Sequence, residues 1–404
     1  MKPSRKKIKV CLRMVAISLS YLLVTAAAGL GWVCAQLPDI VYLEKGQPLA
    51  FAQLPYVQMQ PKTGARPAAR NQPSSSENVT LSLGGVLRLK TVRAVQTDRP
   101  VVQVCGTPFG IKMFSDGALV VAFSDIDTPA GRANPAKSAG LQLGDWVTKA
   151  GDIPVHENRD LAKALQEAKG KPVPVDYLRD GKPGTVCLVP VQDDAGHWKA
   201  GVWVRDSSAG VGTLTFVETK RGVFAGLGHP ISDHDTGQPV SLRTGEIVPC
   251  AIERFEKGRA GRPGELKGRF LPGLAVGTIR KNSSAGVFGT VRKAFSGEYM
   301  PVAFAQEIQP GPAQILTTIN GTKPRRYQVE IERVNCRAAP GQHDLLLRVT
   351  DQTLLRETGG ILQGMSGSPI LQNGRLVGAV THVLVQDSTR GYGIFIENML
   401  KAAE

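Results

Sequence analysis

The sequence predicts a mainly β protein made of an N-terminal membrane segment, a small α+β domain and a β-rich C-terminal domain. Of its 404 residues, 45 are glycine and 27 are proline, which favours turn-rich β structure over helical bundles. From Met14 to Val33 the chain is almost wholly apolar and carries no charge. From Gly201 to the end, short apolar runs alternate with Gly, Pro and Asp turns, a spacing typical of a sandwich or barrel of roughly two hundred residues.

The first element, predicted over residues 1–35, is a signal peptide or a signal anchor. The apolar run follows a basic flank, which places the N-terminus on the inside: Lys2, Arg5, Lys6, Lys7, Lys9 and Arg13. The run has about the twenty residues that a membrane span needs. Small side chains permit cleavage after Ala35, whereas Val33 is too large for the residue that normally precedes a lipidated cysteine such as Cys34. We favour an uncleaved or slowly cleaved anchor, and in either case expect the bulk of the chain to be exported.

A linker is predicted over residues 36–77 and a strand-rich segment over residues 78–100. The stretch from Lys62 to Glu77 is rich in Pro, Ser and Arg and has no apolar periodicity, which is the composition of a linker. Strand-like alternation begins at Val79 and continues to Leu89. The linker would therefore separate the membrane segment from the folded body.

Residues 101–192 are predicted to form a small α+β domain. Strands are expected at Ala118–Phe123, Val173–Leu178 and Thr185–Val191. A helix is expected at Asn158–Ala168, where apolar residues recur at helical spacing after an Asn cap. The central stretch A-G-L-Q-L-G-D-W-V, from Ala139 to Val147, resembles the A-G-L-x-x-G-D-x-V core of bacterial PDZ domains.

The resemblance to PDZ domains implies that this domain binds an extended peptide by strand addition beside a helix. It places the carboxylate-binding loop at Phe109, Gly110 and Ile111, with the groove between the following strand and the helix from Asn158. Pro108 removes one N–H donor from that loop. The ligand is therefore either a C-terminal peptide or an internal one, which can come from the same chain, and a purely structural module is the alternative.

Cysteine usage and charge bear on the remaining classes of function. Cys105 and Cys187 lie near the first and last strands of the small domain and could pair, although isolated buried thiols are the preferred interpretation. No C-x-x-C motif occurs, which argues against a zinc knuckle. The net charge is +15, but the basic stretch from Arg254 to Arg269 contains Gly and Pro and a single aromatic residue, Phe255. It predicts a solvated loop rather than a nucleic-acid surface, and no cofactor is indicated.

The most informative motif is a Gly-rich turn around Ser366, within G-G-I-L-Q-G-M-S-G-S-P. A strand is expected to follow it, then an Asn373-Gly374 hairpin turn and a return strand. Glycines allow two backbone N–H groups to point at one oxyanion. The layout resembles the nucleophile turn of chymotrypsin-like serine peptidases, G-x-S-G-x-P before a hairpin. Ser366 is therefore the candidate nucleophile, and a β-turn without chemistry is the alternative.

A serine nucleophile needs a base, and His229 is the preferred candidate. It ends an apolar strand early in the β-rich domain, and chymotrypsin-like peptidases likewise have their base early and their nucleophile late. His234 lies in a charged, solvated loop, and His382 is either a core residue or lines the cleft. Asp351 ends the apolar strand before the Ser366 turn and is the candidate acid that orients the imidazole.

A rival interpretation uses the same region as a metal site. His229, Asp233 and His234 could act as ligands of a metal-dependent hydrolase, because zinc sites often combine histidines with a carboxylate. The surrounding glycines and Pro230 disfavour a helix that would bring these side chains together. We therefore predict no metal and keep the metal-dependent hydrolase as an alternative.

The order of these elements resembles the stage IV sporulation protein B (SpoIVB) peptidases of spore-forming bacteria. The resemblance rests on the PDZ-like core, on G-H-P-I-S-D-H-D-T-G from Gly228 to Gly237 and on the Ser366 motif, and it extends from about Val79 to Leu400. It implies a chymotrypsin-like double β-barrel with Ser366 as nucleophile, His229 as base and Asp351 as orienting acid. The oxyanion donors would be the N–H groups of Gly364 and Ser366. Pro230 departs from the glycine common in the family, which stiffens the loop and leaves the imidazole in place.

The resemblance also implies a biological role. Family members are exported into the space between the two forespore membranes, where they cleave a membrane-anchored regulator of an intramembrane protease and thereby activate a sigma factor. They also cleave themselves near the N-terminus. The competing hypothesis is a PDZ-centred adaptor whose β domain lacks activity. A quality-control protease of the HtrA type is disfavoured, because those proteins place the peptidase domain before the PDZ domain.

Overall fold

The computed structural model describes residues 5–45, 49, 51–59, 76–129, 131–259, 261–336 and 343–404. It begins with a long helix, α1 (Arg5–Gln36). The part from Arg13 to Gln36 is long and apolar enough to cross a membrane, a criterion that a signal sequence also meets. Its length and composition agree with the predicted signal or anchor.

A four-stranded sheet follows α1 and has its own small core. Its strands are β1 (Ile40–Glu44), β2 (Val57–Met59), β3 (Ser76–Leu83) and β4 (Leu87–Thr97), in the order β1-β4-β3-β2. Arg99 ties this sheet to the body through Glu44, at 3.0 Å, and Glu307, at 2.8 Å. The predicted linker is thus structured at β1 and β2, and residues 60–75 of it lie outside the described residues. The linker composition belongs to the stretch from Lys62 to Glu77, whereas β1 and β2 lie before it.

The next elements alternate short strands with two helices. They are β5 (Val101–Val104), β6 (Pro108–Phe123), β7 (Ile126–Thr128), β8 (Gly131–Ala133), α2 (Pro135–Ala139), β9 (Trp146–Ala150), β10 (Ile153–Pro154), α3 (Asn158–Ala168), β11 (Val173–Arg179), β12 (Lys182–Leu188), β13 (Val191–Gln192), β14 (Trp198–Lys199) and β15 (Val202–Glu218). Two of them, β6 and β15, are long enough to belong to two structural units.

The first barrel is completed by strands that follow β15. These are β16 (Val223–Gly226), β17 (Thr244–Glu256), β18 (Glu265–Phe270), β19 (Gly277–Ser283), β20 (Gly286–Val291) and β21 (Glu298–Pro301). The strands β6, β17, β19, β20, β16 and β15 pair around a complete cycle, which β15 closes by pairing with β6. Phe109, Phe224 and Ile247 are among the buried residues of its core.

The PDZ-like unit is inserted into this first barrel. The first half of β6 pairs with β17 in the barrel, at Ile111↔Ile247, and its second half pairs with β9, at Ala118↔Val147. The predicted domain boundary at residue 101 is therefore corrected, because β5 pairs with β15 and the start of β6 pairs with β17, both strands of the barrel. Sequence periodicity gives no sign of this, since one uninterrupted strand passes from one unit into the other.

The second barrel is formed by the C-terminal part of the chain. Its strands are β22 (Gly311–Thr317), β23 (Arg325–Val334), β24 (Leu345–Val349), β25 (Pro369–Gln372), β26 (Arg375–Leu384) and β27 (Asp387–Phe395), closed in the order β22-β23-β24-β27-β26-β25. Two short helices accompany them, α4 (Gln352–Thr358) and α5 (Ile396–Ala403). The mainly β fold is as predicted, with an N-terminal helix, a PDZ region and a barrel-based protease-like domain.

Candidate active site

Ser366 lies in the turn that leads into β25, as the motif predicts. Its Oγ donates a hydrogen bond to the Thr381 carbonyl at 2.5 Å, on the neighbouring strand β26. Positive φ angles at Asn373 (51°) and Gly374 (72°) form the predicted hairpin turn between β25 and β26. The preceding side chain, Met365, is fully buried and anchors the turn in the second barrel.

The turn around Ser366 is fixed to β15 of the first barrel. Thr213 donates through its N–H to the Ser366 carbonyl and through its Oγ1 to the Gly364 carbonyl, both at 3.0 Å. Thr215 Oγ1 donates to the Gly367 carbonyl at 2.7 Å. Hydrogen bonds to three of the four carbonyls from Gly364 to Gly367 thus fix the direction of the backbone, and β15 supplies all three.

Two N–H groups of this turn are the predicted candidates for oxyanion donors. Within the described part of the chain, neither the N–H of Gly364 nor that of Ser366 donates a hydrogen bond, and both residues line the same cavity. Gly364 has φ +93°, a conformation that is strained for other residues. Unpaired N–H groups beside a cavity are available to an oxyanion that develops there.

His229 lies just after β16, in a loop that enters the same cavity. The backbone turns sharply at Leu227 (φ +67°) and Gly228 (φ +71°) before it. The ring Nδ1 lies 2.8 Å from the Pro230 carbonyl. Because a carbonyl only accepts, Nδ1 carries the proton in this geometry and Nε2 is left as the acceptor. Burial lowers the pKa of His229, which keeps the ring neutral and able to accept a proton near pH 7.

The cavity shared by His229 and Ser366 has a volume of about 710 Å³. One wall is apolar and is formed by Ile361, Leu362, Val383 and Val385. Residues 207–211 of β15 form another part of the lining. The cleft is therefore assembled from both barrels, with His229 on the first and Ser366 on the second.

A second histidine borders the cavity beside His229. The ring centroids of His229 and His382 are 4.6 Å apart, and His343, which stacks on Tyr392 at 3.7 Å, lies 5.7 Å from His382. Burial, together with the neighbouring His229 and His343, lowers the pKa of His382 to about 4. His382 is thus neutral at pH 7 and contributes a ring surface to the cleft, the second of the two roles that its position after the return strand suggested.

Asp351 lies away from this arrangement, at the N-cap of α4. Its carboxylate accepts hydrogen bonds from the N–H groups of Thr353 (2.9 Å), Leu354 (3.0 Å) and Gln328 (3.2 Å). The described hydrogen bond of the His229 ring is to Pro230 instead. The expected orienting contact is therefore absent among the described residues, because the strand-ending carboxylate is occupied in starting a helix.

Comparison with known proteins identifies the C-terminal part of the chain. The model of the family described as SpoIVB peptidase S55 matches residues 196–400, just over half of the chain. The chain belongs to the SpoIVB peptidase S55 family. This is a family of serine peptidases, and a PDZ domain model matches residues 112–188 of the same chain.

Other similarities of this SpoIVB-family chain are short or weak. A predicted zinc metalloprotease of Staphylococcus aureus (strain N315) is 41% identical over 56 residues, which are 14% of this chain and 13% of that protein. The serine protease Do-like HtrA of Lactococcus lactis subsp. lactis (strain IL1403) is 48% identical over 52 residues, 13% of each. The matched stretches thus span about an eighth of these relatives. The Rv3671c protease of M. tuberculosis, in its active form, is 14% identical with TM-score 0.30, covering 48% of this chain and 72% of that one.

The predicted PDZ loop of this SpoIVB-family chain is not a peptide site. Phe109, Gly110 and Ile111 lie inside β6, where Gly110 pairs with Val211 on one side and Val248 on the other. Phe109 and Ile111 are buried in the barrel core. Since both edges of the strand are occupied, no peptide can add there, and the prediction is corrected. Gly110, between two apolar residues, resembled the loop that precedes a PDZ strand. The resemblance arises because β6 runs from the barrel directly into the PDZ unit, so barrel residues stand where a PDZ domain has this loop.

A cavity that is a candidate for the peptide groove is bordered by α3 and the beginning of β15. A second cavity of about 710 Å³ is lined by Leu161, Ala162 and Leu165 of α3 and by residues 202–204 of β15. Over these residues β15 pairs with β6 alone, within the described part of the chain. The Ser124 N–H donates to the Gly201 carbonyl, so the antiparallel alternation directs the N–H and C=O of Val202 away from β6. The signal that could have located this edge is the A-G-V-W-V stretch from Ala200, beyond the residues that match the PDZ model.

The side chains of the alternative metal site are directed elsewhere. His234 is almost fully exposed, at 97%, and Asp233 is buried in an ion pair with Arg205. In the described ranges, no group of three or more His, Cys, Asp or Glu side chains is arranged to hold a metal ion.

Cys105 and Cys187 are both free thiols, Cys105 buried and Cys187 exposed, so they do not form the disulfide considered above.

Proposed function

We propose that this chain is a serine endopeptidase in which Ser366 is the nucleophile and His229 the base. The observation that carries the proposal is that the two residues, from different barrels, line one cavity together with the free N–H groups of Gly364 and Ser366. Membership of the SpoIVB peptidase family supports it independently.

The reaction follows from the positions of these groups. Ser366 Oγ leaves its hydrogen bond to Thr381, attacks the carbonyl carbon of the scissile peptide bond and passes its proton to Nε2 of His229. The carbonyl oxygen becomes an oxyanion held by the N–H groups of Gly364 and Ser366. His229 then gives the proton to the leaving amine, which leaves an ester on Ser366. A water molecule, deprotonated by His229, then attacks the ester carbonyl. His229 returns that proton to Ser366 Oγ as the bond between Oγ and the acyl carbon breaks, which frees the serine and releases the second product as a carboxylic acid.

The substrate we propose is a membrane-anchored regulatory protein of an intramembrane protease, and the chain itself near its N-terminus. Family membership supports this sporulation role, which leads to activation of a sigma factor. The apolar α1 supports export, with the folded body held at the outer surface of the membrane of the forespore or released from it. The groove beside α3 would hold an extended peptide of the substrate, of a partner or of the same chain. The orienting role of Asp351 stays a prediction.

The test uses the full-length protein in detergent micelles. A fluorophosphonate probe, which reacts with activated serines, should label the wild-type protein at Ser366, and mass spectrometry should detect self-cleavage. Ser366→Ala should lose both while keeping its circular dichroism spectrum. Ser296→Ala, which removes an exposed hydroxyl, is the matched control and should behave as wild type. Continued cleavage by Ser366→Ala would overturn the proposal. If chelation alone abolished that residual cleavage, the metal-dependent alternative would take its place; an unlabelled wild-type protein that bound peptide would favour the adaptor.

A further inference from the structure

One strand, β15, contacts every part of the proposed peptidase. Residues 202–204 border the peptide groove, residues 207–211 line the catalytic cavity, and Thr213 and Thr215 hold the nucleophile turn. Arg205 lies between the groove and the cavity on this strand, and its side chain reaches the loop that carries His229.

The contact between Arg205 and the His229 loop is a network around a buried carboxylate. Arg205 forms ion pairs with Asp233 and, at 2.7 Å, with Asp235. The Asp233 side chain has no exposed surface, and it also accepts hydrogen bonds from the N–H groups of Asp235 (3.1 Å) and Thr236 (3.0 Å). Burial by itself would raise the pKa of Asp233, but the hydrogen bonds from Thr236 and Arg205 outweigh it and lower the pKa. Asp233 is therefore ionised, and without Arg205 it would be a buried charge lacking its cation.

The His229 loop is held on its other side by Asn282. Asn282 of β19 accepts from the Ile231 N–H at 2.8 Å and donates to the Ile231 carbonyl at 2.9 Å. Ile231 and Asp233 lie two and four residues after His229. The loop is thus held between β19 and β15, two strands of the first barrel, and Arg205 provides the contact to β15.

We propose that Arg205 is a positioning residue for His229, acting through Asp233 and Asp235. The inference rests on the proposed function, in which His229 is the base. With Arg205 in place, β15 fixes the base loop and the nucleophile turn relative to each other, although they belong to different barrels. A misplacement of the imidazole by about 1 Å is enough to lower a rate by about a hundredfold.

The experiment measures how fast the fluorophosphonate labels Ser366 in the full-length protein, separating the maximal rate constant from the probe's binding constant. Arg205→Ala should lower the rate constant by tenfold to a hundredfold and leave the binding constant unchanged. Arg205→Lys should be intermediate, because an ammonium keeps the charge but cannot reach both carboxylates as a fork. Millimolar guanidinium chloride, compared with sodium chloride at equal ionic strength, should restore part of the rate in Arg205→Ala. Arg269→Ala, which breaks an exposed ion pair with Glu253, is the matched control and should not change the rate.

Asp235→Asn keeps the test decisive if Arg205→Ala does not fold. Asp235 is about half exposed, so this variant removes part of the contact to β15 without leaving a buried charge, and labelling should slow by a few fold. If the Arg205→Lys variant and the Asp235→Asn variant were both labelled at the wild-type rate, the inference would be overturned and the proposed function would be unaffected. The inference would also be overturned if the labelling rate of Arg205→Ala fell only in proportion to the fraction of unfolded protein and if guanidinium restored none of it. An unlabelled wild-type protein would instead refute the proposed function.

Discussion

Replacing Asp351 by Asn and by Ala separates its two candidate roles, helix cap and orienting acid. In the structure, Oδ1 accepts from the N–H groups of Thr353 and Leu354, and Oδ2 accepts from Gln328. Asn retains one carbonyl oxygen in the same place and caps a helix about as well as Asp, whereas an Asp-to-Ala change at an N-cap costs about 1 kcal/mol. The helix α4 is short and connects β24 to the segment that carries Ser366, so the capping loss should appear as lower stability of the second barrel.

The two roles predict different rates for Asp351→Asn. From the capping geometry we expect the labelling rate of Ser366 to stay within about threefold of wild type, because a cap of equal shape leaves α4 in place. If the carboxylate oriented His229, the same change should be far more damaging, since in trypsin-like enzymes the corresponding substitution lowers kcat about 10⁴-fold. The assay is the labelling rate together with the thermal unfolding midpoint of both variants. An Asn variant with an unchanged midpoint and a rate at least a hundredfold lower, on the order of the effect in trypsin-like enzymes, would refute the capping interpretation and make Asp351 the acid.

Two further predictions follow from the burial of His229 and of Gly110. His229 acts as a base only when neutral, and burial lowers its pKa, so the labelling rate should rise with pH and reach half its plateau below about pH 6.5; a midpoint above that value would contradict the assignment. Gly110→Ala places a Cβ 2.5 Å from the Phe270 ring, which should destabilise the first barrel by about 1–3 kcal/mol in denaturant unfolding. Unchanged stability combined with lost peptide binding would instead restore residues 109–111 as the PDZ loop.

The turn around Ser366 and the end of the strand before His229 could be predicted from the sequence because local chain chemistry determines them. Asn373-Gly374 favours one hairpin whatever surrounds it, and the glycines beside Ser366 leave few alternatives to a tight turn. His229 could be found because it ends a strand and is one of only 6 histidines. Its hydrogen bond to Pro230 could not be predicted, because ring orientation depends on loop geometry that no spacing records.

The positions of Asp351 and of the peptide groove depend on tertiary contacts, and here the sequence was insufficient. A carboxylate at the end of a strand has the same sequence context whether it points into a cleft or caps the next helix. Thr353 and Leu354 decide the matter by offering free N–H groups two and three residues later. The sequence placed the peptide groove beside β6. In the structure the free strand edge of the PDZ unit is on β15, which is far from β6 in sequence because the unit is inserted between these two strands.

The insertion has a consequence for how a substrate is presented. Both connections between the PDZ unit and the barrel are strands, β6 and β15, which pair with each other across the junction from Val202↔Phe123 to Thr213↔Pro108. The groove and the catalytic cavity are thus held by one two-stranded ribbon rather than by a flexible linker. From Val204 at the groove to Gly210 at the cavity is six residues, roughly 20 Å along an extended strand. We expect one extended peptide to reach from the groove to the cavity, so that binding in the groove raises the local concentration of a scissile bond that lies on the same chain about six residues away.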